Sequence, residues 1–152
     1  MAKFRFRLET LHKLRETYRD ELRGKLAAAY QAAQILEEQQ QSVAAELHAL
    51  QATQREAITG NQANVNSLLE AQRYQAVLRA QQATLKGQSK LLAEEIERRR
   101  QAVMEADRQV RVLDKLRERQ LRQFEEDQRR AEVKQLDEFA VQRWEGNASW
   151  HH

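Results

Sequence analysis

Four histidines, four serines and 23 carboxylates are the side chains of this 152-residue chain with the chemistry to serve a reaction. Their spacing argues against one. His12 and His48 each stand alone, and His151 and His152 end the chain as native residues or a tag remnant. No His-Glu-x-x-His pair is present to grip zinc from one helix face. Ser42, Ser67, Ser89 and Ser149 lack a partner base at a useful spacing. The glycines lie apart at 24, 60, 87 and 146, so no glycine-rich loop cradles a phosphate. With zero cysteines there is neither a disulfide framework nor a thiolate metal site, and the redox compartment stays open. The expectation is no enzyme: no catalytic, cofactor-binding or metal residues, and no cofactor.

The elements that would position any site are long helices. Ala, Glu, Lys, Leu and Arg make up 84 of the 152 residues, and glutamine adds 20 more. Straight-chain side chains lose little freedom in a helix, and such a composition marks a coiled coil. Proline is absent. No apolar run of about 18 residues exists, so no membrane span is expected. MAKFRFRLETL lacks the apolar core of a secretory signal, which leaves the cytoplasm as the simplest address.

Apolar positions recur at alternating steps of three and four, the seam of a left-handed coiled coil. In the first segment they run Phe4, Leu8, Leu11, Arg15, Tyr18, Leu22, then Leu26, Ala29, Ala33, Leu36, Gln40, Val43, Leu47, Leu50, Gln54 and Ala57. The extra step of four from Leu22 to Leu26 reads as a stutter. The second segment runs from Leu78 through Leu85, Leu92, Ile96, Val103, Val110 and Leu113 to Phe124, with a stutter near Arg117. Between them Gly60, Asn61, Asn64 and Asn66 break the pattern. Gly60 suits a left-handed helix end, and Ser67 with Glu70 fits a capping box. The expected fold is all-α: a long two-helix antiparallel coiled-coil hairpin, 1–145, with its second helix longer. Helices are expected at about 4–58 and about 67–144, a turn at about 59–66 and a flexible tail at 146–152. Phe4 should then face about residue 122, with some twenty residues of the second helix projecting beyond.

Charge is uneven. Residues 1–25 and 98–134 are dense in arginine, lysine and acid, whereas 26–94 carry few charges. Six arginines have an acid four residues earlier (Glu94/Arg98, Glu95/Arg99, Asp107/Arg111, Glu118/Arg122, Glu125/Arg129 and Glu126/Arg130), the favourable order on a helix. A phosphate-binding stripe needs uncompensated positive charge, so nucleic acid is not the expected partner. Phe4 and Phe124 fit the seam. Phe6, Phe139 and Trp144 are surplus to a coiled coil and mark a docking surface, with a smaller patch at Tyr74, Val77 and Leu78.

Two stretches carry a family likeness: Phe4-Arg5-Phe6-Arg7-Leu8-Glu9-Thr10-Leu11 near the start and Lys134-Gln135-Leu136-Asp137-Glu138-Phe139-Ala140 near the end, with Leu113-Asp114-Lys115-Leu116-Arg117-Glu118-Arg119 between them. This arrangement resembles FliJ, the coiled-coil protein of the bacterial flagellar type III export apparatus. The resemblance implies a non-enzymatic stalk and chaperone whose terminal end docks in the FliI-like hexameric export ATPase. The part nearer the turn would meet the FlhA-like export gate, and export chaperones would be further partners. It also implies a free monomer, at the cytoplasmic face of the inner membrane at the flagellar base. Carried over by motif, ring-docking candidates are Phe4, Phe6, Leu8, Glu9, Leu11, Arg15, Leu116, Arg119, Lys134, Asp137, Glu138 and Phe139. Gate-facing candidates are Val43, Glu46, Leu50, Tyr74, Val77 and Leu78. The alternatives are the stalk of a virulence type III secretion system and a purely structural dimeric coiled coil.

Overall fold

The computed structural model describes residues 2–60 and 64–148. Two helices account for nearly all of them: α1, Glu9–Thr59, and α2, Val65–Ala148. Among the described residues there is no strand. The chain is an all-α antiparallel hairpin whose second helix is the longer, as the heptads imply. Its helices tolerate their threonines because Thr17, Thr53, Thr59 and Thr84 each donate their hydroxyl to the carbonyl four residues back.

The chain divides into two compact units: a terminal unit, residues 1–19 with 106–152, and a turn unit, residues 20–105. Within the terminal unit, Phe4 meets Phe124, Glu9 meets Arg117 and His12 meets Asp114. Rising numbers on one side thus meet falling numbers on the other. Within the turn unit, Lys25 meets Arg99 and Glu46 meets Tyr74 in the same sense. The expected partner of Phe4, about residue 122, falls two residues from the observed one.

The seam of α1 departs from expectation in one instructive way. Its inward positions are His12, Arg15, Arg19, Leu22, Leu26, Ala29, Ala33, Leu36, Gln40, Val43, Leu47, Leu50, Gln54 and Ala57. These steps alternate three and four without interruption, so the stutter at Leu22–Leu26 is absent. Leu11 and Tyr18 point outward, and His12 and Arg19 take their places. Polar side chains that find partners across the interface can hold a seam position, and apolarity alone misassigned the phase.

The ends differ as well. α1 begins at Glu9 rather than near Phe4. Lys3-Phe4-Arg5-Phe6-Arg7-Leu8 alternates charged and apolar residues, the period of an extended chain rather than a helix. Burial follows that alternation: Phe4, Phe6 and Leu8 turn inward while Lys3, Arg5 and Arg7 remain exposed. At the other end of α1, Gly60 does not take a positive φ, and its N–H still donates to Glu56 in helical fashion. α2 is capped by Asn64, whose side-chain oxygen accepts from the Asn66 N–H, three residues before the box expected at Ser67. The rest of the break, Asn61, Gln62 and Ala63, lies outside the described residues. α2 runs to Ala148, past Trp144 and Gly146, because one glycine costs a helix only about 1 kcal/mol. Ser149, Trp150, His151 and His152 lie outside the described residues.

Candidate docking surfaces

Polar pairs line the helix–helix interface of the terminal unit, from its buried centre at His12 to its exposed rim at Arg111 and Arg117. Glu9 lies 3.9 Å from Arg117, and Arg15 donates to Gln109 at 2.8 Å. Arg19 and Arg111 approach Asp107 at 3.8 and 3.3 Å. His12 is the buried centre, only 5% exposed. Its Nε2 lies 2.5 Å from Asp114 Oδ1, and its Nδ1 lies 3.3 Å from Glu16 Oε1. Ligand atoms of these three residues fall within 4.8 Å of one another. The ring, however, turns a different nitrogen to each carboxylate, so a single ion cannot replace both contacts. The arrangement is a hydrogen-bonded bridge between α1 and α2. The apolar share of this interior comes from Ala106 and Val110, with Phe6 edge-on to His12 at 6.5 Å and Phe4 against Phe124 at 5.6 Å.

Outside, the same unit presents apolar residues. Leu11, Leu14 and Tyr18 are exposed at helical spacings of three and four, a stripe along α1. On α2 every residue from 129 to 148 is exposed, about five turns with no helix against them. Val133, Leu136, Ala140 and Trp144 share one face of that extension, and Phe139 and Val141 flank it. Charges interleave with this face at Arg129, Arg130, Lys134, Asp137 and Glu138.

The twelve ring-docking candidates therefore separate. Leu11, Arg119, Lys134, Asp137, Glu138 and Phe139 are on the surface. Phe4, Leu8, Arg15 and Leu116 are half-buried, and Glu9, half-buried too, is paired with Arg117. Phe6, expected as a surplus exposed aromatic, is 8% exposed, because the extended segment folds it over His12. Leu14 and Tyr18 are surface residues the sequence reading missed. The signal was present: the heptad continued backwards from Leu26 without a stutter puts both on the outside.

In the turn unit, Leu78 is buried and Val43 and Leu50 are half-buried in the seam. Glu46, Tyr74 and Val77 are exposed. The Tyr74 hydroxyl donates to Glu46 at 2.8 Å, and that bond raises the phenol above its ordinary range. Val43 and Val77 also line a shallow, mainly apolar groove with Ala80, Thr84 and Leu85. On α2, Glu95 holds Arg98 at 2.6 Å and Arg99 at 2.9 Å, and these bonds, Arg98 first, keep its carboxyl below the usual range. Arg99 also donates to the Lys25 carbonyl at 2.7 Å. Of the expected acid–arginine pairs, Glu95/Arg99, Asp107/Arg111 and Glu118/Arg122 form, while Arg98 turns to Glu95 instead of Glu94. The charges of Arg98, Arg99, Arg111 and Arg122 are thus answered by carboxylates on the same helix.

No described helix is long and apolar enough to cross a membrane. No curated protein and no solved structure matches the chain. The family model described as "Flagellar FliJ protein" matches residues 4–149, nearly the whole length, and spans both terminal stretches that carry the likeness. With that match over two antiparallel helices and no strand, the chain belongs to the flagellar FliJ family, a component of the flagellar export apparatus.

Proposed function

We propose that this chain is the stalk and chaperone of the flagellar export apparatus, docking by its terminal unit in the hexameric export ATPase. The observation that carries this reading is an inverted pattern. The terminal unit has polar residues in its seam (His12, Arg15, Arg19) and apolar ones outside (Leu11, Leu14, Tyr18, Leu136, Phe139, Trp144). Contiguous exposed apolar residues rimmed by charge suit a protein interface rather than solvent. The turn unit, with Glu46, Tyr74 and Val77 exposed beside an apolar groove, is the proposed contact for the export gate. The chain does no chemistry of its own in this reading. It works at the cytoplasmic face of the membrane as a monomer, held there by its partners.

The test is stimulation of the purified export ATPase by the added chain. Stimulation is expected, and Phe139→Ala with Trp144→Ala should weaken binding about 30-fold, from about 2 kcal/mol at an aromatic anchor. Leu14→Ala with Tyr18→Ala should weaken it on the α1 side. An intact chain that leaves the ATPase unaffected overturns the docking reading.

A further inference from the structure

We propose that the α2 extension pairs antiparallel with the same segment of a second copy, so that the free chain forms a dimer. The face concerned is Val133, Leu136, Ala140 and Trp144, and Trp144 is 76% exposed. It belongs to no seam within the chain. The half-buried positions of α2 end with Phe124 and Gln128, before this face begins.

What selects a second copy is the charge beside that face. At 3.6 residues per turn, Glu132 and Arg143 fall on one flank of it. Neither has an ion-pair partner among the described residues. Arg143 has no acid three or four residues away in either direction, because those places hold Phe139, Ala140, Gly146 and Asn147. Its counter-charge therefore lies outside its own helix.

A two-fold axis midway between Asp137 and Glu138 supplies one. It keeps each flank on its own side and lays Glu132 of each copy against Arg143 of the other. The same register sets Leu136 against Ala140 across the axis. It also drops Trp144 between Arg129 and Val133 of the second copy, where a guanidinium can lie over the indole. Residues 129–146 then overlap, about 27 Å of helix. Ala148, the last residue of α2, reaches only as far as Asp127 of the second copy, short of Phe124 and the Phe4 packed on it.

Parallel pairing is worse. It lays each charge beside its own copy: Arg129, Arg130 and Lys134 against cations, Asp137 against an acid. In the antiparallel pair only Asp137 meets its copy, beside the axis, while Glu138 lies on the outer side of the helix. The family likeness implies a free monomer, whereas the extension argues for a pair away from the ring and a single chain within it, since Trp144 cannot serve both contacts. The pairing itself does not depend on the ATPase reading.

Sedimentation velocity of the purified full chain over a concentration series tests it, and a monomer–dimer equilibrium is expected. Arg143→Glu or Glu132→Arg turns two attractive pairs repulsive and should weaken the dimer about tenfold. The double swap, Glu132→Arg with Arg143→Glu, should return it to near the parent affinity, and Asp137→Asn should tighten it. These positions are all exposed, so circular dichroism should show the parent helix content. The chain has no cysteine, so Asp127→Cys carries one nitroxide per copy. Double electron–electron resonance should then find the labels about 30 Å apart along the helix axis, at 1.5 Å per residue. A monomer at every concentration overturns the proposal and leaves the face to a different protein. So does a dimer unmoved by Arg143→Glu, not restored by the double swap, or loosened by Asp137→Asn. Labels lying side by side, as parallel pairing requires, overturn it too.

Discussion

Leu78→Ala separates the residues that hold the turn unit together from those free to bind. Leu78 is 2% exposed, whereas its neighbour Val77 is 52% exposed. Truncating a buried leucine to alanine costs about 2–5 kcal/mol, less where surroundings close over the gap. A two-helix interface has solvent close on both sides, so the lower half, about 2–3 kcal/mol, is expected. For a chain of this size each kcal/mol moves the melting temperature by about 2–4 °C, which gives a fall of roughly 4–12 °C. Val77→Ala, at a surface position, should stay within about 0.5 kcal/mol and barely move it. Thermal melts followed by circular dichroism measure both. Calorimetric titration with the cytoplasmic part of the export gate, well below either melting temperature, then measures binding. Val77→Ala should weaken that binding while leaving the melt unchanged. A Leu78→Ala melt within about 1 °C of the parent, against the expected scale of 2–4 °C per kcal/mol, would refute the enclosed seam.

Gly24 and Gly87 lie inside α1 and α2 with nothing within 4 Å of where a Cβ would stand. Each replacement by alanine should therefore add about 1 kcal/mol, seen as a rise of about 2–4 °C in the melt. Glu95 carries the acid-side prediction. Its carboxyl is held low by Arg98 and Arg99, so its contribution to stability is present above the ordinary carboxylate range and lost as pH falls through the lowered value. Glu95→Gln should flatten that part of the acid limb in denaturant melts. Because the site is exposed the difference should be small and should shrink further with added salt.

The sequence made some of this legible and concealed the rest, for physical reasons that differ by element. Two helices, one break and the placing of Phe4 across from about residue 122, two residues from its observed partner Phe124, followed from heptad period and chain length, because an antiparallel hairpin fixes register once its turn is placed. From Leu22 onward the apolar seam positions of α1 (Leu22, Leu26, Ala29, Ala33, Leu36, Val43, Leu47, Leu50 and Ala57) do face inward, while Tyr30, Ile35 and Ile58 lie outside the heptad seam and stay exposed. Upstream the reasoning failed because it equated seam with apolar. His12 and Arg19 are inward because Asp114 and Asp107, about a hundred residues later, offer them partners. Such long-range compensation leaves no trace in local periodicity. The extended segment before α1 was misread differently: Phe4 and Leu8 are four apart and fit a helix, but Phe4, Phe6 and Leu8 also fit a period of two. The shorter period wins because it alone turns all three inward. The docking candidates inherited both errors, which is why Phe6 is buried and Leu14 and Tyr18 went unnoticed.

That failure of local reasoning is itself informative about function. A chain selected only to form a stable hairpin would put its leucines in the seam and its charges outside. The turn unit does so at Leu22, Leu26, Leu36, Leu47, Leu78 and Leu92, all inward or half-inward, although Leu69 and Leu91 stay exposed. The terminal unit does the reverse at His12, Arg15 and Arg19 against Leu11, Leu14 and Tyr18. A seam of bridged polar groups holds less strongly than packed leucines, since each charge loses water on burial. Leucine and tyrosine left in solvent gain nothing for the fold. Both departures weaken the isolated chain in the same region, and a partner covering the outer stripe would offset the exposed apolar one. Local consistency broken at His12, Arg15 and Arg19 against Leu11, Leu14 and Tyr18 is the pattern expected where a binding surface overrides stability. On that argument the α1 stripe ranks with the α2 extension as a place where a partner's grip should be sought.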